Sequence, residues 1–188
     1  YRDHDGLIAV GKALERSAQQ IGDALKASGL GGRGGAAFPA GIKWQTVLDA
    51  PSTQKYIVCN AEEGDSGTFA DRLLLEADPF QLIEGMIIAG LAVEATRGYI
   101  GLRVEYPRAA EVLRQALDLA RVDGWLGANI AGSGRAFDIE LRVGAGAYIC
   151  GEETALLESL EGRRGMVRAK PPLPVSYTHL TLPTSELV

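Results

Sequence analysis

What most constrains this chain is an alternation of short apolar runs with long amphipathic ones. Tyr56-Ile57-Val58-Cys59 is a compact run of strand formers, Gly98 to Arg103 is a second, and Phe137 to Val143 alternates apolar and polar residues as a half-exposed strand does. Between them the spacing is helical. Asp78-Pro79 supplies an N-cap acceptor and a first-turn proline, with Gln81 completing a near capping box, and that helix runs to about Ala95. Pro107 to Val122 carries Val112, Leu113, Ala116, Leu117 and Ala120 along one face. Strands separated by helices of this length pair in parallel through crossovers, which predicts a layered α/β domain. A helix over Ile8 to Ala27, closed by Gly29, and another over Glu152 to Glu161 complete the expected elements.

The bulk chemistry removes several functions. A net charge of -5 argues against non-specific nucleic-acid binding. Cys59 and Cys150 each follow an apolar run and read as small buried hydrophobes, which fits a reducing, cytoplasmic compartment. The chain opens without an apolar leader, and its most apolar stretch, Leu82 to Val93, carries Glu84 and is too short to span a bilayer. The expectation is a protein soluble or peripheral to the inner membrane through partners. No metal-ligand spacing of Cys or His is present, and no Ser–His pair supports hydrolysis.

Three loops carry chemistry. In Gly32-Arg33-Gly34-Gly35-Ala36-Ala37-Phe38-Pro39-Ala40-Gly41-Ile42-Lys43-Trp44, glycines let backbone N–H groups approach an anion or a flat ring. Arg33 and Lys43 can neutralise a phosphate, while Phe38 and Trp44 offer ring faces. The second, Asn60-Ala61-Glu62-Glu63-Gly64-Asp65-Ser66-Gly67-Thr68-Phe69, leaves the first strand, where parallel sheets bind ligands. It reads equally as a ribose-binding loop or as a solvated acidic one. The third runs from Gly144 through Tyr148 and Gly151 to Glu152-Glu153-Thr154; its carboxylates suit either a ligand or the positive end of a helix. Arg163, Arg164, Arg168 and Lys170 read as a solvated or subunit-facing cation cluster.

Taken in order, these loops resemble the NADH-binding flavoprotein subunit of respiratory complex I, NAD-reducing hydrogenases and NAD-dependent formate dehydrogenases. The matching text is Gly32 to Trp44, Lys55 to Arg72, Asp78 to Met86, Gly146 to Glu153 and Glu161 to Pro174. Asp65 and Leu173 make the formate dehydrogenase β subunit the nearest in detail. The resemblance implies a Rossmann-like FMN-binding domain of the complex I 51 kDa type over residues 28–174, preceded by a helical segment, 1–27. It implies that Gly32, Arg33, Gly34, Gly35, Lys43, Asn60, Glu63 and Gly151 hold FMN. Phe38 would stack on the adenine of NAD(H), and Asp65, Tyr148, Glu152 and Glu153 would line the nicotinamide and ribose. Hydride would pass directly between the two cofactors, with no catalytic acid or base from the protein. Implied partners are the other subunits of an oxidoreductase, including a thioredoxin-like [2Fe–2S] subunit.

The chain departs from that family in places. Gly31 stands where Arg is usual, and Glu62 where Asp is usual. The downstream Asn pair and the four Cys ligands of a [4Fe–4S] cluster are expected beyond this chain. Residues 175–188 show no tie to the preceding text and resemble a translated library adapter. Two readings of other classes compete: a scaffold that keeps the fold and only docks partners, and a Mg²⁺-dependent phosphoryl transferase resting on Glu62, Glu63 and Asp65.

Overall fold

A computed structural model describes residues 1, 3, 5–32 and 37–170. Its centre is a three-stranded parallel sheet, β1 (Tyr56–Ala61), β2 (Arg97–Leu102) and β3 (Asp138–Val143), in spatial order β1-β2-β3. The helices are α1 (Ile8–Leu14), α2 (Ala18–Ser28), α3 (Ala40–Asp49), α4 (Ala70–Ala77), α5 (Pro79–Val93), α6 (Pro107–Val122) and α7 (Glu153–Leu160). The α/β layering and parallel pairing follow the sequence reading, and β2, flanked on both edges, is the most buried strand.

Strand pleating divides the side chains between two cores. Ile57, Cys59, Ile100, Leu102, Ile139 and Leu141 share one face with α5 and α6, and Val10 and Ile21 of the first two helices join the same cluster. Tyr56, Val58 and Tyr99 face α7 through Leu156, Leu157 and Leu160. Gly101 sets the height of α7 over the sheet, because a Cβ there would lie 2.6 Å from Leu156 Cδ1. Cys150 is buried, and burial, then Asp71, pushes the Cys59 thiol up to about 12, so both behave as apolar groups.

Local signals explain where reading and structure agree. The Asp78 carboxylate accepts from Gln81 N–H at 3.3 Å, with Pro79 in the first turn. The single helix expected over Ile8 to Ala27 is instead two. Ser17 and Gln20 form a reciprocal capping box that starts a new helix at Ala18, and Gly29 closes it at φ 68°. Two helices went unread. α3 occupies the second half of the glycine loop, and Trp44 on it packs against the main core rather than presenting a free ring. α4 is short and lacks a cap of its own in the preceding residue. Among the described residues no helix is long and apolar enough to cross a membrane.

Candidate functional site

The C-terminal ends of the strands release the second and third loops on either side of β2. They meet above it. Asn60, the penultimate residue of β1, donates its Nδ2 to the carbonyl of Gly151 at 2.7 Å, while its Oδ1 accepts from Glu62 N–H at 3.2 Å. Farther out, Tyr148 Oη donates to Asp65 Oδ1 at 3.0 Å. The Tyr148 ring lies against Gly64, where a Cβ would come within 2.6 Å of Cδ2. The two loops thus form an arch between strands that are not neighbours, with β2 beneath it. Tyr148 stays 72% exposed and its ring is open to a ligand.

The acidic loop is less solvated than its composition suggests. Glu63 is only 9% exposed. Its Oε1 accepts from Asp71 N–H at 2.9 Å, and its Oε2 from Arg72 N–H at 3.2 Å and Tyr106 Oη at 3.1 Å. The carboxylate therefore caps α4 from outside that helix, at its positive end. Glu62 has its pKa raised, first by burial and then by Glu105, against the opposing pull of Arg103. Its Oε1 sits where a Cβ on Gly144 would come within 2.7 Å, so the two loops lie in close contact there.

At the third loop, Glu152 is the N-cap of α7, accepting from Thr154 N–H at 2.8 Å and Ala155 N–H at 3.0 Å. Lys170 reaches back to both carboxylates, 2.8 Å from Glu152 Oε1 and 2.6 Å from Glu153 Oε1. Burial alone would raise the Glu152 pKa; Lys170, Thr154 and the two backbone donors outweigh it and bring the carboxyl down to about 2. Since the folded value lies below the ordinary 4.5, Glu152 contributes stability above that pH and loses it as pH falls towards 2. Chemical denaturation at pH 6 and pH 3 should show a smaller acid loss in Glu152→Gln than in the parent; equal losses would remove this carboxylate from the acid response.

Three of the four cations of the cluster, expected to be solvated or subunit-facing, are correspondingly paired. Arg168 pairs with Glu158, and Arg163 lies 3.4 Å from the buried Glu161. Arg163, Arg168 and Lys170 thus clamp α7 while Arg164 stays exposed, and the Arg168–Glu158 and Lys170–Glu153 pairs span 10 and 17 positions, beyond any local pattern.

The glycine loop is described in part. Gly32 N–H donates to Phe38 O at 2.8 Å, Phe38 is 54% exposed, and Lys43 in the first turns of α3 is exposed with no ion-pair partner among the described residues. Arg33, Gly34 and Gly35 lie outside the described residues, as does 171–188, including the tail and the Pro171 to Pro174 text. Among the described residues no hydrogen bond or ion pair joins this loop to the arch.

Two contributors escaped the sequence reading. Arg103 and Tyr106, just beyond the end of β2, contact the acidic loop from below: Arg103 Nη1 donates to the Glu63 carbonyl and Tyr106 to its carboxylate. Their place at a third strand end was the available signal.

The family model for the Nuo51 FMN-binding domain matches residues 25–183. The NADP-reducing hydrogenase subunit HndC of Solidesulfovibrio fructosivorans is 51% identical over 97% of this chain and 36% of its own length. A relative in Aquifex aeolicus, one of the subunits of its NADH-quinone oxidoreductase, is 51% identical over 93% of this chain and 41% of its own. A crystal structure of an air-oxidised NAD⁺-reducing [NiFe]-hydrogenase superposes with a TM-score of 0.74 at 41% identity, covering 85% of this chain and 26% of that one. The chain thus spans well under half the length of these relatives.

Proposed function

Because the chain belongs to the Nuo51 FMN-binding domain family, we propose that it forms the FMN- and NAD(H)-binding part of a multi-subunit flavoprotein oxidoreductase. The observation that carries this reading is the arch itself: residues from two strand ends meet above the central strand through Asn60–Gly151 and Asp65–Tyr148. The residues fit a flat ring system. Gly144 and Gly151 let the third loop lie directly against Glu62, where a Cβ would approach to 2.7 and 3.3 Å, and the exposed Tyr148 ring at the rim offers a flat face.

When bound, FMN would supply hydride exchange with NAD(H) and single-electron exchange with iron–sulfur clusters of partner subunits. The protein's part is placement. Asn60 and Gly151 hold the two walls together, Glu63 fixes the acidic loop against α4, and Tyr148 with Asp65 closes the outer rim. Gly32, Arg33, Gly34, Gly35 and Lys43 supply the phosphate end, and Phe38 a face for the adenine. Glu152 and Glu153 lie on the ribose side, where the carboxylate of Glu153 selects NAD(H) over its phosphorylated form. One relative is named for NADP and another for NADH at the same 51% identity, so overall similarity does not separate the two nucleotides. Asp65 and Leu173 support membership of a formate dehydrogenase-type complex.

FMN titration of the full-length subunit, monitored by flavin absorbance and fluorescence and then by anaerobic NADH addition, tests the proposal. Saturable binding with bleaching of the flavin band is expected. A folded full-length subunit that neither binds FMN nor is reduced by NADH would return the chain to a scaffold role. Running the 188-residue chain in parallel shows how much of the affinity its own loops supply.

A further inference from the structure

We infer that Arg103 and Tyr106, on the connection from β2 to α6, are positioning residues that hold the acidic loop in the shape the proposed cofactor site requires. The loop places Glu62, Glu63 and Asp65 within four positions, and like charges so spaced repel. Arg103 is the cation that meets this group from below. Its Nη1 donates to the backbone carbonyl of Glu63, its Nε pairs with Glu105 at 3.1 Å, and its charge lowers the cost of keeping Glu62 ionised. Its guanidinium also stands 5.0 Å from the centre of the Tyr106 ring, with Arg72 at 5.3 Å from the same ring. Tyr106, only 6% exposed, is thereby fixed so that its hydroxyl donates to Glu63 Oε2 at 3.1 Å.

The consequence is a support under the arch that no residue of the arch itself provides. Asn60 and Tyr148 tie the acidic loop sideways to the third loop; Arg103 and Tyr106 tie it downward to the central strand. Backbone and carboxylate of Glu63 are anchored separately, which leaves that residue little freedom to turn. Neither Arg103 nor Tyr106 need touch the cofactor, so their effect on binding is indirect.

The inference rests on the reading of these loops as an FMN site, and its test separates the two. FMN affinity and thermal stability are measured on the full-length subunit and on Arg103→Ala, Arg103→Lys, Tyr106→Phe and Arg121→Ala. Arg121 bonds Asp138, Asp118 and the Ile139 carbonyl, so it joins α6 to β3 away from the arch and controls for general loss of structure. The expected result is an FMN dissociation constant raised roughly tenfold or more in Arg103→Ala, about threefold in Tyr106→Phe, with partial recovery in Arg103→Lys, and unchanged in Arg121→Ala well below its melting temperature. If Arg103→Ala does not fold, Arg103→Lys and Tyr106→Phe decide, and affinities within about twofold of the parent would overturn the inference. A folded parent that binds no FMN removes the underlying reading instead.

Discussion

Glu153→Gln in the full-length subunit should raise kcat/KM for NADPH relative to NADH by roughly 10- to 100-fold. The argument is electrostatic. NADPH differs from NADH by one phosphate on the adenine ribose, and in the proposed pose that phosphate approaches the Glu153 carboxylate. At half exposure the effective dielectric lies between that of water and about 20, so a like-charge contact near 6 Å costs about 1 to 3 kcal/mol. Glu153 is 45% exposed at its side chain, which keeps the effect towards the lower half of that range. A second contribution has the same sign. Lys170 Nζ lies 2.6 Å from Glu153 and 2.8 Å from Glu152, so removing one carboxylate leaves an ammonium with charge to offer the incoming phosphate. Adding Lys170→Ala to Glu153→Gln should therefore reverse part of the gain. Steady-state kinetics with both nucleotides give the answer, and an unchanged ratio would place Glu153 away from the ribose.

The other large effect concerns stability. Glu63→Ala should destabilise the domain by about 2–4 kcal/mol, read as a lower urea midpoint with little change in slope. The carboxylate, itself 9% exposed, satisfies two partly buried backbone donors at the start of α4 and one buried phenol. Truncation leaves these donors unpaired, and buried donors without partners each cost on the order of 1–3 kcal/mol. Glu63→Gln keeps an oxygen acceptor and should lose less than half as much. A loss under about 1 kcal/mol in Glu63→Ala would mean that α4 does not depend on this cap.

How much could be read in advance depended on the distance over which each signal acts. Asp78-Pro79 announces α5 because cap and first turn are consecutive, and the three strands announce themselves by composition. The break at Ser17 is equally local, a Ser and a Gln three apart, but the apolar pattern continues across it and hides it. α4 could not be read this way: its cap comes from Glu63, separated from the helix by the whole Gly64 to Phe69 turn. Trp44 has a related explanation, since the packing of α3 on the main core turns its ring inward. The candidate residues of the two strand-end loops were legible as groups, and the pairing of Lys170 with Glu152 and Glu153 was not. That pairing depends on the chain returning past the start of α7, which no short window contains.

The arch over β2 also has a kinetic meaning. Its two ties join residues 91 and 83 positions apart, and they span strands that meet only through the one between them. Neither half of the crevice can therefore preorganise on its own: a growing chain must deliver all three strands and the start of α7 before the crevice has two walls. Closing such long loops is slow, and the reward arrives late. A ligand seated under the arch would in turn draw on the whole sheet, stabilising it by about 2.7 kcal/mol at one hundred times its dissociation constant. Cofactor present during folding would then add its binding energy to the finished sheet.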